Sequence, residues 1–231
     1  MNRQKFLHLF SLLTAALLLL LPSIAGAAET AVQDKPTLTL IGHASVKIRT
    51  AEGVVIYIDP YYAGDYSEEA DIILVSHEHS DHNKINLCKQ KTGCIVLRAS
   101  DTISKKDGTY NIFDIAGVTV QPVPAANKNH KIDSSTGFVL TFDRLKVYHS
   151  GDTSKLDQMA DLIALDIDYA LFPIDGKYNM DAAEAMACAA LVGAKHNTPM
   201  HYFDADPAAF APDNLLLIRY GETVALDKVL E

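Results

Sequence analysis

Four side chains that commonly bind metal ions lie close together in the sequence: His77, His79, Asp81 and His82. They directly follow the segment 71–75, a short apolar run with branched side chains that predicts a buried strand. Side chains two residues apart on an extended backbone point to the same side, so His77 and His79 suit one ion. Asp81 and His82 lie past a turn and suit a second ion. The spacing predicts a dinuclear metal site; a solvated histidine loop is the alternative.

Two more ligand-type residues also follow predicted strands. Asp152 comes just after the strand 145–148, and His201 comes just after the strand 197–200. We expect these side chains and the four above to gather at one edge of the fold. Imidazoles bind Zn²⁺ or Fe²⁺ without adding charge, whereas carboxylates offset part of the metal charge, so this mixture suits two divalent ions.

The segment 77–82 resembles the H-x-H-x-D-H signature of the metallo-β-lactamase fold superfamily, and later segments match in the same order. The strings Gly151-Asp152-Thr153 and Pro199-Met200-His201-Tyr202 are similar to those of a hydrolase branch that includes ascorbate-6-phosphate lactonase-like and N-acyl phosphatidylethanolamine phospholipase D-like proteins. The resemblance implies that His77 and His79 hold the first ion. It also implies that Asp81, His82 and His201 hold the second ion and that Asp152 bridges the two.

Two residues of the loop 124–130 are candidates for the third protein ligand of the first ion. The branch carries an Asn with a His a few residues later, which aligns Asn127 and His130 with those positions. We favour His130, since imidazole is the better ligand for a borderline metal ion. If Asn127 takes its place, the first site is expected to be weaker.

Other polar residues near the expected edge suit supporting roles. Asp59 ends a strand and is suited to accept the N–H of a ligating imidazole, which fixes the tautomer of that ring. The remaining candidates are expected to stand behind the ligands or to face the substrate, with an ordinary structural hydrogen bond as the alternative for the histidines. These candidates are His43, Asn127, His149 and Tyr178.

The predicted cofactors are two divalent ions, zinc first, with manganese or iron as alternatives. A water shared by two such ions loses a proton near neutral pH and becomes the nucleophile. Asp81 is expected to orient it and to pass a proton to the leaving group. The expected activity is hydrolysis of an ester, lactone, phosphodiester or related bond in a small molecule. Within the resembled superfamily, an iron-dependent redox enzyme and a non-enzymatic metal or ligand sensor are the alternatives.

The N-terminus has the pattern of a secretory signal peptide. Arg3 and Lys5 precede an apolar stretch that ends near Pro22, and Ala25-Gly26-Ala27 matches an A-x-A cleavage site. We predict a signal peptide over 1–27, a hydrolase domain over 28–231, and a periplasmic or secreted protein without stable membrane insertion after cleavage. An uncleaved anchor is the alternative, although the apolar stretch is shorter than the roughly 20 residues of a spanning helix.

The composition argues against nucleic acid as a partner. The formal net charge is −9, and removal of 1–27 would make it −11, because that segment carries two basic residues and no acidic one. Binding to nucleic acid needs a basic surface to replace counterions. Nothing in the sequence indicates the oligomeric state. Cys88 and Cys94 are spaced so that a disulfide is one alternative and two free thiols the other.

Strand hairpins followed by strand and helix alternation, twice over, suit two packed sheets with helices outside. The family resemblance implies the same α/β architecture, a four-layered αββα sandwich of two mixed β-sheets with flanking helices. Besides those above, the predicted strands are 37–41, 46–50, 54–59, 94–98, 110–115, 118–123, 138–142 and 169–173. The predicted helices are 84–90, 100–106, 154–164, 181–192 and 207–220.

Overall fold

The computed structural model describes residues 35–228, so the predicted signal peptide lies outside the described residues. Within that range the chain forms two sheets of six strands each. The strands of the first sheet are β1 (Thr37–Gly42), β2 (Ser45–Arg49), β3 (Val55–Ile58), β4 (Ala70–Val75), β5 (Gln90–Arg98) and β12 (Glu222–Ala225). Those of the second are β6 (Phe113–Ile115), β7 (Val118–Pro124), β8 (Thr136–Phe142), β9 (Leu145–His149), β10 (Tyr169–Pro173) and β11 (His196–Met200).

Both sheets are mixed. The first has the order β12-β1-β2-β3-β4-β5 and the second the order β11-β10-β9-β8-β7-β6. Neighbouring strands are parallel over β3-β4-β5 and over β9-β10-β11, and antiparallel elsewhere. Parallel strands end at the same edge of a sheet, so the loops after β3 and β4 lie together, as do those after β9, β10 and β11.

The main core lies between the two sheets. Because side chains alternate across a strand, Ile72 and Leu74 of β4 enter this core, while Ile73 joins a smaller cluster on the outer face of the first sheet. Phe138 and Leu140 of β8 meet them from the second sheet. The central strands are buried on both faces, which explains their continuous apolar sequence.

Helices cover the outside, as the αββα expectation requires. The helix α2 (Ala182–Val192) and the 3₁₀ segment Asp157–Leu165 pack on the outer face of the second sheet through residues such as Phe172 and Cys188. A single turn, α1 (Ala99–Thr102), follows β5. The expected sandwich is therefore confirmed, with less helix than the sequence predicts. None of the helices in the described range is both long and apolar enough to cross a membrane.

Two predicted helices are largely absent because their backbone groups bond elsewhere. Only Ile85–Leu87 forms a 3₁₀ turn in 84–90, since the Lys89 carbonyl accepts a hydrogen bond from the Ala70 N–H. In 207–220 only Pro207–Ala209 is helical, and the chain then runs beside β11, where the Leu216 N–H donates to the Asn197 carbonyl. The predictions of helices over 84–90 and 207–220 were wrong.

The remaining helix predictions differ mainly in length and type. The segment predicted as 100–106 is the single turn α1, and that predicted as 154–164 is 3₁₀ rather than α-helical. The helix predicted over 181–192 is confirmed as α2. Cys88, Cys94 and Cys188 are free thiols, so the Cys88–Cys94 disulfide is not formed.

The N-terminus of α2 gives a test of local stability. Asp181 is the N-cap, and its Oδ1 accepts a hydrogen bond of 2.9 Å from the Glu184 N–H. Asp181→Ala should lower the free energy of unfolding by about 1 kcal/mol, because one backbone donor loses its partner. Asp181→Asn keeps an acceptor and should lose much less. Urea unfolding of both variants checks this, and equal losses would contradict the capping role.

Candidate metal centre

The loop after β4 turns back on itself directly beneath the cleft between the two sheets. The N–H of His82 donates to the carbonyl of His79 at 3.0 Å, which closes a turn between the first and second pairs of predicted ligands. His77 and His82 are buried, Asp81 is half-buried and His79 is exposed. The loop therefore presents four ligand-type side chains at different depths of one cleft.

Three histidines form the first group. Ligand nitrogens of His77, His79 and His130 all lie within 4.8 Å of one another. His79 Nδ1 and His130 Nε2 are 3.0 Å apart. His130 thus presents a nitrogen to this group, whereas Asn127 lies behind it, which agrees with the preference for His130 over Asn127 as a ligand.

A second group lies beside the first. Ligand atoms of His43, Asp81, His82 and His201 also lie within 4.8 Å of one another. These residues come from three separate parts of the chain, namely the β1–β2 turn, the loop after β4 and the end of β11. Their convergence places the two predicted sites at one edge of the sandwich.

Asp152 connects the two groups. Its Oδ1 lies 3.4 Å from His82 Nε2, and its Oδ2 lies 3.5 Å from His201 Nε2 and 3.9 Å from His130 Nε2. The carboxylate is nearly fully buried. Asp152 is therefore within reach of nitrogens from both groups, which is the position that a bridging ligand requires.

Asp59 fixes the ring orientation of two of the histidines. His82 Nδ1 donates to Asp59 Oδ2 at 2.8 Å, because a carboxylate can only accept. The same oxygen accepts from Ser76 Oγ at 2.6 Å, so the hydroxyl proton of Ser76 is engaged and its oxygen accepts from His77 Nδ1 at 3.0 Å. In both rings Nδ1 carries a proton that the protein engages, so Nε2 is the nitrogen that a metal ion can reach from the cleft.

His130 is held in the same way, and His201 lies close to a carboxylate. His130 Nδ1 donates to Asn127 Oδ1 at 2.7 Å, and the amide of Asn127 is oriented by a hydrogen bond from its Nδ2 to Asn179 Oδ1 at 2.7 Å. His201 Nδ1 lies 3.0 Å from Asp175 Oδ2. Three imidazoles therefore have Nδ1 hydrogen-bonded to a protein acceptor, and the fourth, that of His201, has Nδ1 close to a carboxylate without a hydrogen bond.

The ligand-type atoms that face the cleft indicate whether metal ions fit the site. The Nε2 atoms of His77, His82 and His201, and Asp152 Oδ1, are buried and make no hydrogen bond with the protein. A buried polar atom without a partner costs roughly 1–3 kcal/mol, so several in one place would be expensive. Metal ions bound between them would satisfy all of these atoms at once, and imidazole with carboxylate is a suitable ligand set. The residues fit the cofactor.

The electrostatics of the site favour bound positive charge. Burial lowers the pKa of His77 to about 3, so this imidazole is neutral and ready to bind a cation at neutral pH. Burial also lowers the pKa of His82, but the carboxylates of Asp152 and Asp59 outweigh it and raise the pKa to about 9. The negative field that stabilises a proton on His82 would equally stabilise a metal ion.

The other predicted residues fall at different distances from the cleft. His43 is buried, and its Nε2 lies 3.4 Å from Asp81 Oδ2. Tyr178 lines the cleft. His149 does not face the cleft: its Nε2 donates to the Ala44 carbonyl at 2.9 Å, and its Nδ1 accepts from the Gly151 N–H at 3.2 Å. It holds the backbone that precedes Asp152.

Sequence reasoning missed three residues that position ligands. Asp175, Ser76 and Asn179 were not assigned roles, although each contacts a ligand-type residue or its support. Asp175 follows the end of β10 closely, so the strand-end rule that found Asp152 and His201 could also have found it. Ser76 directly follows β4, so the same rule could have found it, whereas Asn179 carries no such signal because its role depends on side-chain packing.

The cleft above these groups has a volume of about 430 Å³, which lies within the range of roughly 300–1,000 Å³ typical of small-molecule sites. Its lining combines ligand-type residues with one amide and one phenol. The lining residues are His79, Asp81, Asn129, His130, Asp152, Tyr178 and His201. The arrangement is suited to hold a polar reacting group over the metal centre.

Known proteins share this sequence pattern and fold. The β-lactamase superfamily domain model matches residues 37–201. A protein of Thermococcus onnurineus named "UPF0173 metal-dependent hydrolase" is 30% identical over 198 residues, 75% of this chain and 87% of that protein. A protein of the same name from Methanoculleus marisnigri is 33% identical over 189 residues, 74% of this chain and 82% of that protein.

A solved structure has the same fold. Igni18, a metallo hydrolase from Ignicoccus hospitalis, superposes with a TM-score of 0.68 at 24% identity, covering 84% of this chain and 99% of that chain. At this identity the likeness concerns the fold, while the family model and the closer relatives concern the family. The chain belongs to the β-lactamase superfamily domain family and is a metal-dependent hydrolase with the metallo-β-lactamase fold.

Proposed function

We propose that this protein hydrolyses its substrate with a hydroxide held between two divalent ions. The observation that carries the proposal is the position of Asp152, whose two oxygens reach nitrogens of both histidine groups. In this assignment His77, His79 and His130 hold the first ion. Asp81, His82 and His201 hold the second, and Asp152 bridges them. Zinc is the first candidate, with manganese or iron as alternatives, because all three suit imidazole and carboxylate ligands.

Bound there, the ions would supply a hydroxide at neutral pH and would polarise the bond to be cleaved. Asp81 is the residue best placed to handle protons. Its side chain is 34% exposed and lines the cleft, and its Oδ2 lies 3.4 Å from His43 Nε2. In this proposal Asp81 orients the attacking group and passes a proton to the leaving group, and His43 lies beside its carboxylate.

The substrate class follows from the cleft and from the charge of the chain. We infer a small molecule with an ester, lactone, phosphodiester or related bond, because the cleft of 430 Å³ suits a ligand of that size. Nucleic acid is a poor candidate, since the formal net charge is −9.

Metal removal is the first test of this function. Purified protein should contain about two divalent ions per chain, and chelation should abolish hydrolysis that returns when zinc, manganese or iron is added, because the nucleophile depends on the ions. Metal analysis and a panel of ester, lactone and phosphodiester substrates measure both quantities. Protein that neither contains nor takes up metal would contradict the proposal.

A pair of histidines on one strand gives a matched test of the ligand set. His201 follows the end of β11, whereas His196 begins the same strand and stacks on Tyr169 with ring centroids 5.0 Å apart. His201→Ala should remove about one ion per chain and reduce hydrolysis to about 1% or less, because the second site loses an imidazole. His196→Ala should keep both ions and most activity. Equal metal contents in the two variants would argue against the assignment.

The role of Asn127 can be separated from that of His130. If Asn127 orients His130, then Asn127→Ala should weaken metal binding by roughly 10–100-fold, because the ring loses its acceptor. His130→Ala should remove the first ion more completely. Titration with zinc and a competing chelator measures both affinities, with the exposed Asn111 as control through Asn111→Ala. A larger loss in Asn127→Ala than in His130→Ala would make Asn127 the ligand.

We propose that the protein is exported to the periplasm or beyond, on the basis of Arg3, Lys5, the apolar stretch and the A-x-A motif. In a bacterial host, cell fractionation should recover it outside the cytoplasm, and N-terminal sequencing should begin at Ala28. Full-length protein in the membrane fraction would favour the uncleaved anchor instead.

A further inference from the structure

The edge of the metal cleft carries two exposed aromatic side chains that contact each other. Phe203 is 51% exposed and Tyr178 is 45% exposed, and their ring centroids are 5.9 Å apart. Another exposed ring, Tyr62, is packed against Tyr220 with centroids 5.2 Å apart. Phe203 and Tyr178, here called the aromatic wall, therefore leave apolar surface open to solvent directly at the site where a substrate enters.

The aromatic wall adjoins the proposed metal ligands. The Phe203 ring centroid lies 5.0 Å from that of His201 and 4.8 Å from that of His43, in edge-to-face arrangements. Tyr178 itself lines the cleft. A group bound against these rings would lie beside His201, so it would be attached close to the bond that is cleaved.

The backbone holds Tyr178 firmly in place. Asp175 Oδ1 accepts hydrogen bonds from the N–H groups of Lys177 at 2.9 Å and Tyr178 at 2.6 Å. Asn129 Nδ2 donates to the Tyr178 carbonyl at 3.0 Å. The ring is thus presented from a fixed loop, which reduces the entropy lost when a ligand binds.

Phe203 is held by a strained segment. His201 has a φ of 46° and Phe203 a φ of 42°, in the left-handed region that residues other than glycine seldom adopt. The Tyr202 N–H between them donates to the Tyr220 hydroxyl at 3.2 Å. Such strain is typical of functional sites, and here it turns an apolar ring toward the cleft rather than into the core.

We propose that the aromatic wall binds a planar apolar group of the substrate, such as an aryl or conjugated acyl group, next to the hydrolysed bond. Rigid aromatic rings stack well on flat groups and gain less from saturated ones. A cationic group is disfavoured, because Lys177 Nζ lies 5.0 Å from the Tyr178 ring centroid. The inference rests on the proposed function, which assigns the cleaved bond to the metal centre.

The test compares a flat ring with a saturated ring of the same size. Methyl benzoate and methyl cyclohexanecarboxylate share one leaving group, so the ratio of their kcat/KM values is measured for zinc-loaded wild type and for Phe203→Leu and Tyr178→Leu. Leucine keeps apolar bulk but removes the flat face. Each variant should shift the ratio toward the saturated ester by on the order of 3- to 10-fold, with metal content unchanged.

A binding measurement separates this inference from the hydrolytic function. Calorimetry with benzohydroxamate and cyclohexanecarbohydroxamate reports the same preference without turnover, and Phe113→Leu, on the edge strand β6 and outside the cleft lining, serves as control. One outcome would separate the two proposals: neither ester is hydrolysed, but wild type binds benzohydroxamate more tightly than the saturated hydroxamate and the wall variants do not. That result would support the aromatic wall as a binding site and would contradict the proposed hydrolytic function. Equal preferences in wild type, wall variants and control, in both measurements, would overturn the inference.

Discussion

The carboxylate of Asp59 is the interaction on which the rest of the site depends. It is fully buried, and it accepts hydrogen bonds from the Ser76 N–H at 2.7 Å, from the Ser76 hydroxyl and from His82 Nδ1. Through Ser76 it also sets the tautomer of His77. One residue therefore aims a ligand nitrogen into each of the two groups, which ties their geometry together before any ion binds.

This arrangement has an energetic cost that the fold must bear. Inward nitrogens of His77, His82 and His201 are buried without protein partners, and His43, Asp59 and His201 adopt left-handed backbone conformations. Each such feature costs on the order of 1–3 kcal/mol. The apolar core between two six-stranded sheets provides the stability against which these costs are set, and metal ions would recover part of them as binding energy.

The convergence of the ligand-type residues could be predicted from the sequence because strand geometry brings them together. Asp152 and His201 follow parallel strands whose ends must meet at one edge, and strands are recognisable from short apolar runs. The predicted helix over 207–220 was wrong for a different reason. Its apolar residues suit a helix, but the backbone of Asn197 offers hydrogen bonds that hold this segment beside β11. Such long-range pairing leaves no local pattern in the sequence.

The chemistry and the selectivity of the site arise from different parts of the fold. Ligand-type residues such as Asp152 and His201 stand at the ends of buried strands, which hold them rigidly enough for metal binding. Tyr178 and Phe203 stand on loops, where substitution changes the surface that meets the substrate without moving the strands. In the proposed function, a metal centre of this kind can serve many hydrolysable bonds, and we infer that the loop residues beside it select the molecules that are held there.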